Sequence, residues 1–179
     1  LPRLSGHVWI ASSGSSASVE GALRWVALSR SAFLCSARAV NEHVQSDAGD
    51  VWVHALPTFH VGGLAILARA AESGARVVAG IVERWDPAVF CALAQTHHAT
   101  LTALVPTQLV DLVQAQRRCP PLLRAVFVGG ASLDPQVLAQ AQALGWPCLI
   151  CYGASETCSQ IATAPVTQAF SLTQTMDVL

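Results

Sequence analysis

Apolar residues come in short runs along this chain, separated by glycine, serine, proline and aspartate. The run His7-Val8-Trp9-Ile10-Ala11 reads as a strand, as does Trp25-Val26-Ala27-Leu28. From Ser29 the period changes. Phe33, Leu34, Ala37 and Val40 share one helical face, so Ser29 is expected to cap a helix reaching about Val44. Residues 51–56 form a buried strand stopped by Pro57. Gly62 and Gly63 open a helix over 64–73, Gly74 closes it, and 76–79 is the next strand. Asp86-Pro87 and Asp134-Pro135 each place a capping carboxylate before a proline suited to the first helical position. They predict helices to about His97 and Leu144. Strands over 100–105, 124–128 and 147–151 and a helix from Pro106 to about Gln116 complete the pattern.

Strand and helix alternate at least five times with short connections, which predicts an α/β fold: a mostly parallel sheet with helices on both faces. In such sheets ligands bind beyond the carboxyl ends of the strands. Four loops, 12–18, 57–63, 129–132 and 152–156, are expected to meet at that edge, and all are rich in Gly, Ser, Thr, Pro or His. Each alone also fits an ordinary tight turn. The first, Ser12-Ser13-Gly14-Ser15-Ser16-Ala17-Ser18, is made of small residues whose amides and hydroxyls can close around an anion. It reads equally as a flexible serine-rich turn, and it lacks the Gly-Lys-Ser/Thr ending of a Walker A loop.

Composition narrows the classes. The chain has 179 residues, enough for one domain with a real core, and no run of 18 apolar residues. It is 53% hydrophobic and 12% charged, which suits strands buried on both faces or a piece normally covered by further domains. A net charge of −1 without a basic stripe gives nucleic-acid binding little support. Cys148 and Cys151 form a C-x-x-C, but in a strand they point to opposite faces, against a redox or zinc pair. Free thiols fit a cytoplasmic protein best. Position 1 is Leu rather than Met, and the expectation is that the true N-terminus lies elsewhere.

Four stretches together resemble the adenylate-forming ligases, the acyl- and aryl-CoA synthetases and their relatives. They are Ser12-Ser13-Gly14-Ser15-Ser16, Leu56-Pro57-Thr58-Phe59-His60-Val61-Gly62-Gly63-Leu64, Val128-Gly129-Gly130-Ala131 and Tyr152-Gly153-Ala154-Ser155-Glu156-Thr157, in the family's order. Residues 104–109 are a fifth, less diagnostic match. The likeness covers about residues 7–165. Within the family, residues 25–29, the Phe-His-Val-Gly-Gly stretch and residues 155–163 resemble the branch that ligates o-succinylbenzoate to CoA in menaquinone biosynthesis.

The resemblance implies ATP-dependent activation of a carboxylic acid as acyl-AMP, then thioester formation with CoA. It implies ATP, Mg²⁺ and CoA as cofactor and cosubstrates, and an AMP-binding subdomain over residues 1–165 followed by the start of another segment over 166–179. It assigns Ser12, Ser13, Gly14, Ser15 and Ser16 to the β- and γ-phosphates, Ser155 to the α-phosphate and Glu156 to Mg²⁺. Tyr152 and Gly153, with Gly129, Gly130 and Ala131, fall to the adenine, and His60 to the acid pocket.

Two departures bear on that reading. The family loop continues Gly-x-Pro-Lys, whereas Ala17-Ser18-Val19-Glu20 follows here. A four-residue insertion puts Arg24 at the Lys position and restores the strand after it; an ungapped alignment puts Glu20 there instead. All ten basic side chains are Arg, so no Lys is present to act on the acyl phosphate. The chain is therefore expected to be the central part of a longer ligase, inactive alone and partnered by the missing N- and C-terminal parts. A non-catalytic nucleotide-binding module stays open as an alternative. So does an adenylation domain with another acid or a carrier-protein acceptor.

Overall fold

The computed structural model describes residues 4–12, 24–79, 84–165 and 177–178. Strands β1 (His7–Ser12) and β2 (Arg24–Ser29) pair antiparallel as a sheet of their own. This corrects the expectation that the loop after residue 12 leaves the carboxyl end of a strand in the main sheet. Seven further strands make that sheet. They are β3 (Val51–His54), β4 (Arg76–Ala79), β5 (Leu101–Leu104), β6 (Ala125–Val128), β7 (Cys148–Ala154), β8 (Ser159–Thr163) and β9 (Asp177–Val178). Their order is β4-β3-β5-β6-β7-β8-β9. The first five run parallel, β8 runs against them, and β9, antiparallel to β8, runs with them again. The sequence pattern did not announce β8.

The helices begin where their sequence signals stand. Ser29 Oγ accepts from the Ala32 amide at 3.2 Å and caps α1 (Arg30–Val44). α2 (Val61–Ser73) ends on Gly74 in the left-handed conformation. Asp86 caps α3 (Pro87–Thr96) through Oδ1, which accepts from the amides of Ala88 and Val89 at 2.7 and 3.0 Å. Asp134 caps α5 (Pro135–Ala143) through Oδ1, which accepts from the Gln136 amide at 2.8 Å. Gln108 closes the first turn of α4 (Pro106–Gln114), its side chain accepting from the Val105 amide.

Alternate residues of each parallel strand face opposite layers. Val51, Val53, Val126, Val128 and Cys148 pack with α3, α4 and α5 around Phe90, Leu109 and Leu112. Trp52, Leu101, Phe127 and Leu149 pack with α1 and α2 around Val40, Val44 and Ile66. Cys148 and Cys151 thus sit on opposite faces as expected, and none of the six cysteines is in a disulfide. A third cluster of Ile10, Leu28, Phe33 and Ala65 joins the small sheet to α1 and α2. No helix among the described residues is long and apolar enough to cross a membrane.

Candidate functional site

Burial of the two helix layers leaves one end of the large sheet open beneath the β1–β2 hairpin. A cavity of about 730 Å³ lies there. Ser12 and Arg24 line it from the hairpin, His60, Gly62 and Gly63 from the start of α2, and Gly129 and Gly130 from the end of β6. Tyr152, Gly153, Ser155 and Glu156 line it from the β7–β8 turn. Ala131 is exposed and does not line the cavity. Ser13, Gly14, Ser15 and Ser16 lie outside the described residues, as do Ala17 and Glu20.

The register of the hairpin places Arg24 opposite Ser12, at the mouth of the intervening loop. The Arg24 guanidinium meets the Glu156 carboxylate at 3.1 Å, so the cation and the acid that the sequence singled out stand together. Both remain in contact with solvent, 59% and 40% exposed. Glu156 lies in a single 3-10 turn, Ser155–Thr157, between β7 and β8. Thr157 ties that turn shut: its Oγ1 donates to the Ala154 carbonyl at 2.9 Å and accepts from the Ala154 amide at 3.0 Å. Tyr152 is 64% exposed, its ring available as an unburied face over the cavity.

His60 precedes the first turn of α2, its ring 4.5 Å from that of Phe59. Behind it, His54 Nε2 lies 2.9 Å from the Gly63 carbonyl and anchors the helix to β3. Gly63 permits that approach: a Cβ there would come within 2.1 Å of the Pro57 carbonyl oxygen.

Sequence reasoning missed Arg69. It projects from α2 and is 2% exposed, yet it lines the cavity. Its Nε and Nη2 have no hydrogen-bond partner, and no ion pair among the described residues includes it. Burial pulls its pKa down to about 10, so the guanidinium still carries its charge at neutral pH. The signal was available: Arg69 lies three residues after Ile66 and four after Ala65, on the buried stripe of α2. A cation on an apolar face needs an anion, and the described residues supply none here.

The model of the AMP-binding enzyme family matches residues 20–176. The 2-succinylbenzoate–CoA ligase of Bacillus subtilis is 33% identical over 114 residues, covering 64% of this chain and 23% of that protein. The ligase of the same name from Staphylococcus epidermidis is 33% identical over 131 residues, covering 73% and 27%. The solved o-succinylbenzoate coenzyme A synthetase of Bacillus subtilis in complex with ATP and magnesium superposes with a TM-score of 0.78 at 28% identity. That superposition covers 88% of this chain and 32% of that one. This chain thus spans between about a quarter and a third of these relatives.

Proposed function

The chain belongs to the AMP-binding enzyme family, and from that premise we propose that it forms the nucleotide- and acid-binding part of an acid–thiol ligase acting on a 2-succinylbenzoate-type dicarboxylate. The acid is activated as acyl-AMP with loss of pyrophosphate, and CoA then takes the acyl group as a thioester. The observation that carries the acid's identity is the buried Arg69 at the cavity, a cation without a counter-ion among the described residues. An acid with one carboxylate for chemistry and another for recognition satisfies it; relatives named for 2-succinylbenzoate support the same choice.

Bringing a carboxylate up to the α-phosphate of ATP sets two anions together, and the site must offset the repulsion. In this reading Ser155 offers its hydroxyl to the α-phosphate. Arg24, with the serine-rich loop from Ser12 to Ser16, holds the β- and γ-phosphates. Tyr152 flanks the adenine, which Gly129, Gly130 and Gly153 leave room for, and His60 borders the acid near the reacting carboxylate. Glu156 would hold Mg²⁺, which when bound neutralises phosphate charge. The Glu156 carboxylate lines the cavity and is 40% exposed, open to a cation from solvent. A single carboxylate is what Mg²⁺ takes when phosphates and waters fill its other positions. The parts of the relatives that this chain does not span would complete the CoA step.

Pyrophosphate release is the test, measured on the protein expressed from its complete gene with ATP, Mg²⁺ and a panel of acids. Release with 2-succinylbenzoate at least tenfold faster than with benzoate is expected. Equal rates with the two acids would remove the dicarboxylate reading, and no release with any acid would favour a non-catalytic module.

A further inference from the structure

Arg69 is held in an unusual way for a buried cation. The rings of Trp52 and Phe127 stack with centroids 5.6 Å apart and planes at 12°. The Arg69 Cζ lies 5.9 Å from the Trp52 centroid and 5.4 Å from that of Phe127. The two rings come from strands that are not neighbours, because β5 runs between β3 and β6. Trp52 aligns with Leu101 of β5, and Phe127 aligns with Ala103. Ala103 is small and lines the cavity with Arg69 and Phe127, so the sheet surface dips where the guanidinium sits.

A carboxylate at that spot would satisfy the guanidinium but would also occupy its N–H donors and repel an incoming anion. Aromatic faces attract the cation through their quadrupoles and take none of its hydrogen bonds. We propose that the stacked Trp52–Phe127 pair is a positioning platform, holding the Arg69 guanidinium at the acid pocket in place of a protein carboxylate and leaving its donors to the second carboxylate of the substrate. This inference rests on the dicarboxylate reading above. Trp52 and Phe127 are positioning residues; they act through Arg69.

The experiment measures the KM for 2-succinylbenzoate and the KM for ATP in pyrophosphate release by the protein from its complete gene. Variants are Trp52→Phe, Trp52→Leu, Phe127→Leu, Arg69→Met and the Phe127→Leu/Arg69→Met double. The expected result is a rise of tenfold or more in the acid KM for both leucine variants, with the ATP KM within twofold. Trp52→Phe, which keeps a ring, stays within threefold for both. Once Arg69 is replaced, losing the Phe127 ring changes the acid KM by less than a further twofold. Phe127→Leu is the gentler change and carries the test alone if Trp52→Leu does not fold. An unchanged acid KM, an equal rise in both KM values, or a full penalty persisting in the Arg69→Met background would overturn the platform and leave plain core packing. If the wild type fails to use 2-succinylbenzoate, the dicarboxylate reading falls and the platform with it. A wild type that uses it while the ring variants behave as in any of the three overturning results removes the platform alone.

Discussion

A guanidinium buried without an acidic partner among the described residues sets function against stability. The folded state holds the Arg69 proton less tightly than the unfolded chain does, because burial lowers its pKa to about 10. At every pH below about 10 the charged side chain therefore costs folding free energy. Replacing it with an apolar side chain of similar length removes that cost, by about 1–3 kcal/mol where buried charges are exchanged for well-packed apolar groups. Arg69→Met is expected to raise the melting temperature by a few degrees while weakening use of the acid. Calorimetry beside the KM measurement checks both signs. Asp50 behaves oppositely. Burial pushes its carboxyl up, but hydrogen bonds from Arg124, Thr100 and the Asp47 amide outweigh it and the net shift is downward. Arg124 Nη2 reaches Asp50 Oδ2 at 2.6 Å, and its Nη1 donates to the Val44 carbonyl, tying the end of α1 to the sheet. A folded pKa below the unfolded one gives stability that is present above the unfolded pKa and lost as pH falls through the folded value. Asp50→Asn should lower stability by about 2 kcal/mol at pH 7, and the gap from wild type should narrow in urea titrations as pH falls below the usual carboxylate range.

At the scale of elements, legibility followed local chemistry. The caps at Ser29, Asp86 and Asp134 and the terminator at Gly74 state their helices within a few residues, because each satisfies orphan backbone groups from its own side chain or by its own φ. The parallel strands were legible as short apolar runs between those helices. β8 was not, since Ser159–Thr163 is a short mixed segment whose strand state comes from pairing with β7. The same pairing hid the true setting of the Tyr152-Gly153 motif, which is the bulge of a hairpin and not a loop leaving a strand. Gly153 shows why that motif needs its glycine. A Cβ there would fall 1.6 Å from the Ser159 carbonyl oxygen, so any side chain pushes β8 away. Gly153→Ala is expected to open the hairpin and cost several-fold in ATP affinity, with faster amide exchange over residues 159–163 as the readout. Arg69 escaped notice for a related reason: one cation in a helix reads as surface until the partner faces are known.

Across the whole molecule, the cavity sits between two sheets joined mainly by apolar packing on α1 and α2. The Arg24–Glu156 pair is a polar contact from the hairpin to the β7–β8 turn across the mouth of that cavity. Both side chains are substantially exposed, so solvent screening limits the pair to under about 1 kcal/mol. It is therefore a poor brace between the sheets, and its removal should leave the ligand-free fold almost untouched. Under the proposed function the same two groups gain value when a metal–nucleotide enters: Glu156 would take the cation and Arg24 the phosphates, each exchanging its present partner for a more highly charged one. A ligand that binds only the folded state raises stability by RT ln(1 + [L]/Kd), about 2.7 kcal/mol at a hundredfold excess over Kd. Wild-type protein in saturating Mg²⁺ and ATP should accordingly melt several degrees higher than without them. Glu156→Ala should melt within about two degrees of the ligand-free wild type, since the pair is worth so little alone. The upward shift with Mg²⁺ and ATP should nevertheless disappear in that variant, and pyrophosphate release should fall at least a hundredfold. A large drop in the ligand-free melting temperature would make the pair a structural brace instead, and an intact ligand shift would take Glu156 out of the nucleotide site.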